Sequence, residues 1–144
     1  MIREIGPDET HLAYVAMREL RPGIGSEGEF VEYVDRLPRP EGYRLIASFA
    51  ESETQAAGVA GFRTGHFLTW GHTLYCDDLS SRALFRRQGH AGLLVDWLIA
   101  EARRIGCDQF HLDSGVGLDR QDAHRLYLNK RMHISAHHFS LELV

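Results

Sequence analysis

Cysteine is scarce in this sequence: Cys76 and Cys107 are the only two. Two thiols build no disulfide framework, and no zinc-type cysteine pair exists, so reduced thiols in the cytoplasm are expected. A long apolar run is also missing. Crossing a bilayer takes about 20 apolar residues, and Asp96 interrupts the most apolar stretch. The first residues, MIREIGPDE, carry charges where a secretory signal needs an apolar segment. A membrane partner is therefore not expected. Positive charge is not in excess either. Sixteen Lys and Arg against twenty Asp and Glu leave a net charge of −4, which gives no field for a phosphate backbone and argues against nucleic acid. Only four prolines interrupt the chain, and it shows no repeat or low-complexity tract.

What remains is an ordinary globular composition, 44% hydrophobic and 25% charged over 144 residues. It suits one domain spanning residues 1–144 with a real core. A first helix is expected from Asp8, with Leu12, Val15, Ala16 and Leu20 on one side and Glu19 as the polar exception. Arg21-Pro22-Gly23 stops it. Ser26 and Glu29 form a capping-box pattern for a second helix, whose stripe is Phe30, Val31, Val34 and Leu37. The period then changes to two. Strands are expected at Tyr43–Phe49, Ala56–Leu68 and His72–Leu79, with a bulge or close approach where Gly58, Gly61 and Gly65 fall. A long helix from Gly89 to Ile105 follows, stopped by Gly106. Gln109–Ser114 returns as a strand, so this helix crosses over into a parallel pair. A last helix, capped by Asp119 or Asp122, runs to about Lys130, and a final strand covers His133–Leu143.

The segment LSSRALFRRQGHAGLL, residues 79–94, carries the chemistry. A strand ends, a short loop crosses, and a helix opens at Gly89. Free amides at a helix N-terminus attract anions, and Arg86 and Arg87 add charge there. Gly89 and Ala91 keep the turn small. The alternative is a solvated arginine pair before a helix. The glycine spacing fits neither a Walker A loop nor a GxGxxG fingerprint.

Arg86-Arg87-Gln88-Gly89-His90-Ala91 resembles the Arg/Gln-x-x-Gly-x-Gly/Ala signature of the GCN5-related N-acetyltransferases. Asp122-Ala123-His124-Arg125-Leu126-Tyr127 resembles that family's second conserved helix. Two positions depart from the pattern: Arg120 stands where the family often has Asn, and Arg131-Met132 where it often has Gly-Phe. The resemblance implies an α/β (α+β) fold with a mixed, mostly antiparallel central sheet. A splayed parallel strand pair and about four flanking helices complete it.

It also implies acetyl-CoA as cosubstrate, no metal, and transfer of the acetyl group to a primary amine of a small molecule or peptide. The coenzyme would be bound by Leu79, Ser80, Ser81, Arg86, Arg87, Gln88, Gly89, His90 and Ala91, with Leu126 and Lys130 from the later helix. Tyr127 would be the general acid that protonates the departing thiolate. Asp77 and Asp78 are adjacent on a strand and are expected to face opposite sides, so that one meets substrate. Asp78 is favoured because it directly precedes Leu79, and Asp113 is a further candidate. Each is equally readable as a solvated or paired carboxylate.

Nine histidines include a cluster at His133, His137 and His138, and His111 shares a strand face with Asp113. Ligand number and geometry for a metal are lacking; His137 or His138 would instead line an acceptor pocket. Arg125 and Lys130 are outer-face charges or partners of the coenzyme's 3′-phosphate. Glu27, Glu29, Glu32 and Asp35 suit either a cationic acceptor or plain solvation. Alternatives from other classes are a noncatalytic coenzyme A-binding or regulatory protein, an enzyme using a longer acyl-CoA, and a histidine-based metal-binding module. A homodimer through the C-terminal strand or a helix face is compatible with the size.

Overall fold

A computed structural model describes all residues, Met1–Val144. Its contacts separate into two compact units, Met1–His111 and Leu112–Val144. The sheet has five strands: β1 (Ile2–Ile5), β2 (Arg44–Ser48), β3 (Gly58–Phe67), β4 (Gly71–Ser81) and β5 (Gln109–Leu112), side by side in that order. The first three junctions are antiparallel, and β4 with β5 is the one parallel pair. The helices are α1 (Tyr14–Leu20), α2 (Glu27–Arg36), α3 (His90–Arg104) and α4 (Gln121–Asn129).

Alternation along β2 and β3 sorts the first unit into two layers. Leu45, Ala47 and Val59 join Ala13, Ala16, Met17, Phe30 and Val34 in a core with α1 and α2. Residues of the other parity meet α3, as where Phe62 packs edge-on against Trp97 with centroids 5.8 Å apart. Leu94, Val95 and Leu98 of α3 are fully buried. An ion network secures the far end of that helix. Buried Glu101 accepts from Arg44 at 2.7 Å and from Arg104, and Arg44 also grips Glu4 and covers the Phe62 ring.

The capping box at Ser26 forms as expected, with Glu29 N–H donating to the Ser26 hydroxyl and the Glu29 carboxylate receiving the Ser26 N–H. Three expectations need correction. The first helix does not start at an Asp8 cap. Pro7 opens a 3-10 turn, Pro7–Ala13, which places Asp8 inside its first turn, and α1 follows it. The last helix likewise begins with a 3-10 turn at Leu118–Arg120, behind Gly117, rather than at a capping aspartate. The final strand is absent: residues 133–144 carry neither helix nor strand. A strand needs a neighbour for its backbone groups, and the second unit holds no other strand to provide one. The short β1 went unforeseen because IREI gives only four residues of alternation.

Candidate active site

The register of β3 against β4 shifts between Gly61 and Phe62. Gly61 lies opposite Asp78, and Phe62 lies opposite Cys76. Asp77 is therefore the extra residue of a bulge. A bulge interrupts alternation, and this corrects the expectation that the two aspartates face opposite sides. Both carboxylates enter one network on the α1 side of the sheet. Asp78 accepts a 2.7 Å hydrogen bond from the Tyr43 hydroxyl on one oxygen, and Arg21 Nε and Nη2 donate to the other at 3.1 and 3.0 Å. Arg63 donates to both oxygens of Asp77 and lies over the Tyr43 ring, 5.4 Å from its centroid. Gly61 has no side chain because the Tyr43 hydroxyl occupies the place of its Cβ.

Electrostatics assigns roles within this network. Burial, then the nearby Asp78 carboxylate, pushes the Tyr43 phenol well above its usual range, so it stays a donor. Burial raises the Asp77 carboxyl against the opposing pull of Arg63. The Cys76 thiol is pushed up to about 12, by burial first and then by Asp78 and Asp77. No thiolate nucleophile is available there at neutral pH.

Beyond the bulge, the Ser80 hydroxyl donates to the Ala16 carbonyl at 2.7 Å, while Leu79 and Ser81 are half-buried. Asp108 N–H donates to the His72 carbonyl at 2.7 Å, which aligns the starts of β4 and β5. With four residues against eleven, β5 runs out well before β4 reaches Ser81.

The chain next passes through a 3-10 turn at Ala83–Phe85 into Arg86, Arg87, Gln88 and Gly89, all exposed. Arg87 and Gly89 both adopt left-handed backbone, at φ +64° and +86°. Gly89 caps α3 without any side-chain hydrogen bond to the helix amides, and nothing lies within 4 Å of a Cβ built on it. The turn thus offers a helix N-terminus flanked by two exposed guanidinium groups, the arrangement that binds phosphate. Ala91 is half-buried behind it. The His90 imidazole points inward and lies 2.6 Å from the Ser48 hydroxyl. Glu19, the polar exception on the α1 stripe, accepts the Ala83 N–H at 2.7 Å. That exception was the sequence signal for a residue supporting this loop.

In the second unit, Tyr127 is the one buried residue of α4, with Leu126 half-buried and Lys130 at the C-cap. Arg125 pairs with Asp122 at 2.8 Å on an exposed face. Asp113 pairs with His138 at 2.9 Å. His111 stacks on Trp70, centroids 3.9 Å apart, and its Nε2 meets the Gln109 side chain. No three His, Cys, Asp or Glu residues gather as a metal site, and no helix is long and apolar enough to cross a membrane. Arg21, Tyr43, Ser48 and Arg63 were not singled out from sequence. Each meets its partner across strands or from another layer, which no local pattern records.

Comparison with known proteins bears on this arrangement. The model of the acetyltransferase (GNAT) family matches residues 11–133. An uncharacterised N-acetyltransferase of Bacillus subtilis, YhdJ, is 30% identical over 118 residues, covering 82% of this chain and 80% of that protein. The crystal structure of a Trypanosoma brucei acetyltransferase superposes with a TM-score of 0.82 at 16% identity, covering 99% of both chains. An aminoglycoside N-acetyltransferase, AAC(6′)-Iy, solved in complex with coenzyme A, gives 0.80 at 12% identity over 99% of this chain and 93% of that one.

Proposed function

The chain belongs to the acetyltransferase (GNAT) family, and from that premise we propose that it transfers an acetyl group from acetyl-coenzyme A to a primary amine. The observation that carries this reading is the turn before α3. Its left-handed Arg87 and Gly89, uncapped helix start and exposed Arg86 and Arg87 form an anion seat. The coenzyme's diphosphate occupies that seat, with Gln88, His90 and Ala91 contributing backbone. Main-chain groups of Leu79, Ser80 and Ser81, where β4 outruns β5, pair with the pantetheine arm. The presence of coenzyme A on the related fold of the aminoglycoside acetyltransferase supports this assignment.

The reaction is direct. The acceptor arrives as an ammonium and loses a proton to a carboxylate, either itself or through water. Asp78 is the better placed of the pair, because its outer oxygen meets only the half-exposed Arg21, whereas Asp77 is held on both oxygens by Arg63. The free amine attacks the thioester carbon, the N–C bond forms, the nitrogen sheds its second proton to solvent, and the C–S bond breaks. Tyr127 gives its proton to the thiolate and recovers one from solvent. A phenol can donate a proton to a departing thiolate in this way. Holding both substrates together supplies much of the acceleration through orientation.

Calorimetric titration with acetyl-coenzyme A, coenzyme A and acetate tests the seat. Both coenzyme forms should bind and acetate should not. Replacing Tyr127 with Phe should lower kcat by about a hundredfold, the usual scale for losing a general acid, with coenzyme affinity unchanged. Coenzyme binding without thiol release across a broad amine panel would instead mark a noncatalytic binder.

A further inference from the structure

His90 is the first residue of α3, yet it is only 9% exposed. The reason lies in three residues aligned across the sheet. Ser48 pairs with Gly58, and Gly58 pairs with Ser81. A Cβ on Gly58 would sit 3.3 Å from His90 Cβ and 3.1 Å from Leu94 Cδ1. The missing side chain therefore lets the start of α3 settle close against β3. From there the His90 ring reaches Ser48 on β2, where Nδ1 and the hydroxyl oxygen stand 2.6 Å apart. Phe85, from the preceding turn, meets the ring edge-on at 6.1 Å, and Arg82 covers Phe85.

Glu19 holds the entry to this turn at Ala83, and the Ser48–His90 bond stands behind its exit into α3. Arg87 occupies a left-handed conformation that a residue with a Cβ adopts only under strain, and no side chain caps the helix. We infer that Ser48 and His90 are positioning residues for the coenzyme: their hydrogen bond fixes the first turn of α3 so that its amides converge on the diphosphate. The inference rests on the coenzyme reading above. Burial lowers the pKa of His90, so the ring is neutral at pH 7 and acts through geometry rather than charge.

Four variants, Ser48→Ala, His90→Leu, His90→Asn and Leu74→Ala, test it by titration with coenzyme A beside the wild type. Loss of the bond in Ser48→Ala or His90→Leu should weaken coenzyme A about tenfold, the equivalent of roughly one good hydrogen bond. In turnover assays KM for acetyl-coenzyme A should rise by the same factor, while kcat and KM for the amine hold. His90→Asn places an amide where Nδ1 stood and should recover most of the affinity. Leu74→Ala hollows the core of β4 away from the turn, lowering Tm without moving coenzyme affinity. Wild-type binding that Ser48→Ala and His90→Leu retain within twofold overturns the inference and leaves the coenzyme reading intact. So does an equal loss in Leu74→Ala, because affinity would then follow general stability. A wild type that binds no coenzyme removes the reading and this inference together.

Discussion

α3 and α4 end on the same backbone device with different residues. After α3, Gly106 N–H reaches the Arg103 carbonyl at 3.1 Å and Cys107 N–H reaches Ala102 at 2.8 Å. After α4, Arg131 N–H reaches Leu128 at 3.0 Å and Met132 N–H reaches Tyr127 at 3.1 Å. Both are Schellman motifs, which need a left-handed residue at the turn. Gly106 takes φ +81° without strain, whereas Arg131 takes φ +66° against the bulk of its own Cβ. The helices differ in anchorage too. Six residues of α3 are buried against one of α4. The comparison teaches that a hydrogen-bond pattern can impose a backbone conformation on an ill-suited residue, and that the strain then stays in the fold.

The largest effect should come from breaking the better-anchored end. Hydrogen bonds from Arg104 and then Arg44 hold the Glu101 carboxyl at about 2, below its usual 4.5. The fold favours the deprotonated form, so the contribution is complete above about pH 4.5 and drains as pH falls toward 2. Glu101→Gln should cost roughly 2–3 kcal/mol at pH 7, near the lower end for breaking a buried pair. Denaturation midpoints at pH 7 and pH 3 check this: the wild type should lose more between them than the variant, and equal losses would refute the account. Next in size is Gly106→Ala. Putting a Cβ into the left-handed cap should destabilise by about 1–2 kcal/mol, read from urea midpoints at an unchanged m-value. The smallest effect has the opposite sign. Arg131→Gly should stabilise by about 1 kcal/mol, once the entropy glycine adds to the unfolded chain offsets part of the relieved strain. Hydrogen exchange at the Arg131 and Met132 amides should slow with it, and faster exchange would count against strain at this residue.

The same contrast governs what the sequence revealed. Gly106 marked the end of α3 from sequence because its side-chain identity and the backbone demand agree. The Ser26–Glu29 box was readable for a similar reason, since both hydrogen bonds close within four residues. Arg131 was noticed only as a departure from a family pattern, and its left-handed backbone became visible only with the Schellman bonds around it. The pairing of Ser48 with His90 spans 42 residues and depends on the gap at Gly58, so neither residue alone announces it. The expected final strand failed because period-two alternation of Phe139, Leu141 and Leu143 states a preference without supplying a partner; all three are more than 80% exposed.

The bulge at Asp77 acts as a change of phase along one strand. Before it, even-numbered β4 residues such as Cys76 share the α3 side with Phe62; after it, even-numbered Asp78 and Ser80 turn to α1. Deleting Asp77 would remove the bulge together with a carboxylate. Phe62 and Gly61 would then face Cys76 and Asp78 in regular succession, and downstream side chains would keep their sides. Pairing Asp77 itself with Gly61 would instead turn every downstream side chain over, moving Asp78 and Ser80 off the α1 side and Leu79 onto it. One inserted residue thus lets two consecutive side chains, Asp77 and Asp78, present their carboxylates on the same side of one strand.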